Sequence, residues 1–150
     1  MSLIKKILII DDDPDDCFIF GQALKEIDET IEVRSLEECE RAVAMIQEMK
    51  PDLIFLDINM PKQTGFDCLQ TVRSHSELNR IPVVMFSSSS NPKEIVRSYR
   101  FGAHLYFQKP SSYQHLVQGI QKVLSFNWKT PDTVLSMHFD GEAYEAFDVR

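Results

Sequence analysis

Two kinds of segment alternate along this chain. Short unbroken apolar runs, rich in branched side chains, stop abruptly at polar or turn residues. The clearest are Ile7-Leu8-Ile9-Ile10, Leu53-Ile54-Phe55-Leu56 and Ile81-Pro82-Val83-Val84-Met85-Phe86, with weaker runs over 31–36 and 104–108. Runs of this length suit strands covered on both faces. Between them, apolar residues recur at i, i+3, i+4 and i+7. Phe20, Ala23, Leu24 and Ile27 keep this spacing, as do Cys39, Ala42, Val43 and Ile46, and Leu116, Val117, Ile120, Val123 and Leu124. That spacing predicts helices with one buried stripe. Shorter helical segments cover 66–73 and 93–100. Asp13 before Pro14, and Asn91 before Pro92, put a capping side chain ahead of a proline at the first helical position.

The order is strand then helix, five times over. Such alternation requires right-handed crossovers and a parallel sheet with helices on both faces. The predicted fold is α/β, a doubly wound five-stranded flavodoxin-like (βα)5 sheet over residues 1–126. In such sheets ligands bind at the carboxyl ends of the strands. Residues 127–150 read as a C-terminal extension without a domain of its own. There Asp140-Gly141 separates 134–139 from 142–147, a hairpin signal; a short helix over 142–147 is the alternative. Trp128, Phe139, Tyr144 and Phe147 are expected to pack back on the domain, with a partner or dimer contact as the competing reading.

Composition narrows the class. The chain has 150 residues, 43% of them hydrophobic and 26% charged, which fits one globular domain with a real core. The net charge of -7 argues against a nucleic-acid partner, since a duplex needs clustered Lys and Arg. The basic start of the chain is followed by an apolar run that halts at Asp11, too short for a signal peptide or a membrane span. Three cysteines, Cys17, Cys39 and Cys68, lie far apart without a C-x-x-C pair. They read as reduced thiols in a cytoplasmic protein. The four histidines share no ligand spacing.

The chemistry lies at the strand ends. The first strand closes on Asp11-Asp12-Asp13, the third on Asp57, the fourth on Ser87-Ser88, and the fifth leads to Lys109-Pro110. A parallel sheet brings these together. Carboxylates crowded into one crevice repel, and one would hold its proton unless a cation intervenes. A hard divalent ion such as Mg²⁺ takes one or two carboxylates plus waters. A lysine beside it can pair with a phosphoryl oxygen. Metal and ammonium together suit a transferring phosphoryl group, whose charge spreads over its equatorial oxygens.

At this point the chain resembles the receiver domains of response regulators. The resemblance rests on residues 7–14, on Leu56-Asp57-Ile58-Asn59-Met60-Pro61 with Gly65, on Val84-Met85-Phe86-Ser87-Ser88, and on residues 102–110, and it covers roughly 5–126. It looks like the single-domain receivers that lack an attached output domain. The resemblance implies Asp57 as phosphoacceptor. It implies Mg²⁺ held by Asp11, Asp12, Asp57 and the backbone carbonyl of Asn59. Ser87 and Lys109 would contact phosphoryl oxygens, and Tyr106 would be the aromatic switch that turns inward as Ser87 moves. The bond before Pro110 would be cis. Strand-end alignment favours Asp11-Asp12 over Asp12-Asp13 as the metal pair and leaves Asp13 as a helix cap. Ser89 and Asn59 occupy positions that tune dephosphorylation.

The implied partners are a sensor histidine kinase or a histidine phosphotransfer protein upstream and another protein downstream, with a homodimer possible and no membrane insertion. The implied role is a stand-alone regulator of a two-component phosphorelay. Three other readings compete. A phosphohydrolase would want an aspartate two residues after its nucleophile, where Asn59 stands. A flavin or nucleotide binder would want Gly, Ser or Thr amides in the first loop, where Asp11-Asp12-Asp13-Pro14 repels phosphate. A receiver-like module that binds without taking phosphate would not need the full residue set.

Overall fold

The computed structural model describes residues 4–147. The first residues of the basic start and the last three of the extension lie outside the described residues. The strands are β1 (Lys6–Ile10), β2 (Glu32–Leu36), β3 (Leu53–Leu56), β4 (Val83–Ser87) and β5 (Leu105–Gln108). All neighbours are parallel, in the order β2-β1-β3-β4-β5. The reversal of direction at β1 and β3 is the switch point of a doubly wound sheet. The helices are α1 (Pro14–Ile27), α2 (Ala42–Met49), α3 (Gly65–Ser74), α4 (Pro92–Arg100), α5 (Tyr113–Ser125) and α6 (Pro131–His138).

Alternate strand residues face opposite sides. Leu8, Ile10, Ile54, Leu56, Val83 and Met85 pack beneath α2, α3 and α4, with Ile46, Leu69 and Ile95 above them. Ile7, Ile9, Phe55, Val84 and Phe107 pack on the other side against Phe20 and Leu24 of α1 and Ile120 of α5. Continuous apolar runs were therefore the right signal for doubly covered strands. The weak second run is an edge strand: β2 exposes Glu32, Arg34 and Ser35.

The caps read from sequence are in place. Asp13 accepts from Asp15 N and Asn91 from Lys93 N, each ahead of its proline. Thr64 and Asp67 form a reciprocal capping box on α3. Gly65 begins that helix hard against the end of β3, with its amide donating to Ile58 O at 2.8 Å. A Cβ there would collide with the Asp57 carbonyl and lie 2.8 Å from Ile58 Cα.

Two sequence expectations need correction here. Cys39 and Cys68 are bonded to each other, and Cys17 is the free thiol. The two lie 29 residues apart in sequence, but the turn before α2 faces α3 across one core cluster. Their Cα atoms are 5.6 Å apart, within bridging reach. The extension also differs in detail. Residues 134–138 belong to helix α6, which Pro131 opens, and no helix covers 142–147. The Asp140-Gly141 turn is present, closed by an antiparallel bridge between Phe139 and Tyr144. The aromatic residues pack back as expected. Trp128 is buried, Phe139 stacks on Tyr99, and Phe147 meets Phe107 edge-on. The tail crosses the outer edge of β5, with Phe139 and Tyr144 on one core cluster and Phe147 on the other.

Candidate functional site

Strand register builds the site. Ile10 pairs with Leu56, Leu56 with Met85, and Ser87 with Gln108. The residues just beyond extend the ladder. Asp11 N donates to Leu36 O at 2.9 Å, Asp57 N to Ile10 O at 2.9 Å, and Lys109 N to Ser87 O at 2.8 Å. Asp11, Asp57, Ser87 and Lys109 thus meet at one rim of the sheet.

Asp11, Asp12 and Asp57 each present a carboxylate oxygen, all within 4.8 Å of one another. Asp13 is turned to its cap on α1, so the acidic group is the Asp11-Asp12 pair with Asp57. Asp11 and Asp57 are almost wholly buried. Three hard oxygen donors on a half-buried rim fit a hard divalent cation. Burial is the main cause that pushes the Asp57 carboxyl up to about 6. Asp11 adds to this, while Lys109 and the amides of Asn59 and Ile58 oppose it. The site holds excess negative charge, which a cation would relieve.

Lys109 reaches into this charge. Its Nζ donates to Asp11 Oδ2 and Asp16 Oδ2, each at 2.8 Å, and stands 3.7 Å from Asp57 Oδ2. Burial favours the neutral amine, but the bonds to Asp11 and Asp16 and the charge of Asp57 outweigh it. The ammonium is held above the usual lysine range. The Lys109-Pro110 peptide is trans, contrary to the resemblance. The preference between isomers before proline is small, and no residue chemistry in the sequence demanded cis.

Ser87 is fully buried at the end of β4, and its Oγ accepts from Ser89 N at 3.4 Å. Tyr106 is buried on β5. Its hydroxyl donates to Ser89 O at 2.7 Å, and its amide donates to Tyr99 Oη at 3.0 Å. Burial raises the Tyr106 phenol above its ordinary range. Ser89 in turn donates to Glu94 of α4. Asn59 is exposed beside Asp57. All of the residues singled out in the sequence therefore lie along this rim or just behind it.

Sequence reasoning missed two partners. Asp16 lies in the first turn of α1, where an acidic residue is ordinary because its charge complements the helix dipole. Its bond to Lys109 spans 93 residues and left no local signal. The other is Tyr99, which links Tyr106 to the C-terminal tail through Phe139.

Comparison with known proteins agrees with this fold. The family model of the response regulator receiver domain matches residues 7–121. Response regulator Rcp1 of Synechocystis is 30% identical over 129 residues, covering 81% of this chain and 88% of that protein. The sensory transduction protein BceR of Halalkalibacterium halodurans is 31% identical over 120 residues, and the chain spans 49% of its length. The Mn²⁺-bound structure of Rcp1 superposes with a TM-score of 0.71 at 30% identity, over 81% of this chain and 93% of that one. The Vibrio cholerae chemotaxis regulator CheY4 gives 0.69 at 28% identity, over 80% and 98%.

Proposed function

Because the chain belongs to the response regulator receiver family, we propose that it is a stand-alone phosphorelay regulator whose acceptor is Asp57. The observation that carries the reading is the meeting of Asp11, Asp12 and Asp57 with Lys109 at one rim. A sensor histidine kinase or histidine phosphotransfer protein supplies the phosphoryl group. An Asp57 carboxylate oxygen attacks phosphorus, a P–O bond forms, and the P–N bond to the donor imidazole breaks.

Asp11, Asp12, Asp57 and the Asn59 carbonyl would hold Mg²⁺. The ion would neutralise charge on the transferring group. Lys109 donates to one phosphoryl oxygen and Ser87 to another. The buried floor of the site keeps bulk water from Asp57. Asn59 has no acid–base group, which suits a signalling protein that keeps its phosphoryl group over an enzyme that turns it over rapidly. Movement of Ser87 is passed to Tyr106 through their shared neighbour Ser89, and the surface of α4, β5 and α5, together with the tail segment that Phe139 and Phe147 seat on it, reports it to a downstream protein. An upstream histidine kinase or phosphotransfer protein supports a cytoplasmic location, against which stands the Cys39–Cys68 bond, of a kind rare in that compartment. Among the described residues no helix is long and apolar enough to cross a membrane. The receiver would span 1–126 and the C-terminal extension 127–150, a division that the packing of Phe139, Tyr144 and Phe147 on the core clusters supports.

The test is labelling with a small phosphodonor and Mg²⁺. Wild type should gain one phosphoryl group and Asp57→Asn none. Beryllofluoride with Mg²⁺ should shift the Tyr106 environment in wild type only, with oligomeric state followed alongside. Labelling that persists in Asp57→Asn would overturn the assignment.

A further inference from the structure

Asp16 stands outside the acidic cluster, yet it shares Lys109 equally with Asp11. The two Nζ–Oδ2 distances are both 2.8 Å, against 3.7 Å to Asp57. An ammonium has three N–H donors. Two are engaged by Asp11 and Asp16, and the third is left for the Asp57 side. Asp11 belongs to the carboxylate group that suits a cation, and Asp16 does not. A cation among those carboxylates would draw on Asp11 and repel the ammonium, weakening that bond. Asp16 is then the carboxylate that keeps hold of Lys109.

The surroundings show why a hold is needed. A cavity of about 500 Å³ opens beside Lys109, lined by Asp16, Ile19, Phe86, Pro110 and Tyr113 among others. The flexible lysine stem can swing into it, away from Asp57. Asp16 stands at its rim in the first turn of α1, a helix anchored by buried Phe20, Ala23 and Leu24. Its backbone is therefore fixed, and its carboxylate can restrain Nζ while leaving one donor free.

We propose that Asp16 is a positioning residue for phosphoryl transfer, which keeps the Lys109 ammonium turned toward Asp57 rather than into the neighbouring cavity. The inference rests on Asp57 being the acceptor. Asp16 touches neither the phosphoryl group nor the cation, and it acts only through Lys109.

The experiment uses the full chain, acetyl phosphate and Mg²⁺, so that acetate leaves as the Asp57–phosphorus bond forms. Asp16→Asn and Asp16→Ala should phosphorylate about tenfold more slowly, the scale of one hydrogen bond between charged groups. Asp16→Glu should recover most of the rate. Beryllofluoride affinity should fall in parallel in the Asn and Ala variants, a readout independent of turnover. The decisive comparison is a double-mutant cycle with Lys109→Ala. In that background Asp16→Asn should change neither rate nor affinity. An equal loss with and without Lys109 overturns the positioning role, as does a wild-type rate in both Asp16→Asn and Asp16→Ala. If wild type itself takes no label, the acceptor assignment fails and this inference with it; if wild type labels normally, only the inference is at stake.

Discussion

The ring of Phe139 lies flat on that of Tyr99, with centroids 5.0 Å apart and planes 10° from parallel. This stack joins the C-terminal extension to α4, and Tyr99 Oη accepts the amide of Tyr106. Phe139→Ala should lower stability by about 2 kcal/mol, from lost ring burial and stacking. Urea unfolding would measure it. An unchanged midpoint would mean that the tail does not rest on α4 in solution.

Gly65 has no room for a side chain. Its position lies against the Asp57 carbonyl and Ile58 Cα. Gly65→Ala should push α3 from the end of β3 at a cost on the order of 2 kcal/mol, and, with Asp57 as the proposed acceptor, should slow phosphorylation by displacing it. A variant that unfolds like wild type and labels at the same rate would show that α3 can withdraw freely.

Asp57 ties charge to stability. Its carboxyl has an ordinary value of 3.8 and is pushed up to about 6 in the fold, mainly by burial. Between those values the folded protein binds more protons than the unfolded chain. The contribution to stability is therefore intact below about pH 4 and lost as pH rises through about 6. Without Mg²⁺, Asp57→Asn should be more stable than wild type at pH 8 by on the order of 2 kcal/mol. The gap should close at pH 4, and Mg²⁺ should narrow it at pH 8. A metal-free wild type that is the more stable at pH 8 would mean that Lys109 outweighs burial.

His104 acts in the opposite sense. It is buried, and its Nδ1 lies 3.3 Å from Val83 N, which donates to it. Burial, then the charge of Arg73, lower its value from 6.5 to about 4. The unfolded chain therefore binds more protons in this window. The stability contribution is present above about pH 6.5 and lost as pH falls through 4. His104→Gln should flatten that acid limb. A wild-type slope in the variant would assign the limb to other groups.

Much of this was legible beforehand, because the relevant physics is local. Ile7 to Ile10 and Leu53 to Leu56 are apolar at every position, which suits doubly covered strands. Asp13-Pro14 and Asn91-Pro92 carry their own cap chemistry. The strand-end aspartates and Lys109 were placed by topology alone. What was missed is non-local. The pairing of Cys39 with Cys68 depends on how α2 approaches α3. The bond from Asp16 to Lys109 depends on how the first turn of α1 approaches the segment that follows β5. Helix α6 begins with a readable proline, but its single turn or two of apolar spacing around Val134 competed with the turn signal at Asp140-Gly141.

The cysteine pairing gives a direct test. Denatured without reductant, the protein should show one reactive thiol, Cys17. In the fold that thiol should react slowly, because burial first, then nearby Asp11, pushes it up to about 12. Reductant should release two more thiols and lower stability by about 3 kcal/mol, as expected for opening a loop of this size. Three free thiols in the unreduced chain would dismiss the pairing.

A parallel sheet has two open margins, each a potential template for a foreign strand. Here one margin carries Glu32 and Arg34, whose charge discourages such addition. The opposite margin is bordered by residues 139–147, through Phe139, Tyr144 and Phe147. Strand addition is thereby disfavoured at both sides, which leaves the helical faces as the broader surfaces open to another chain.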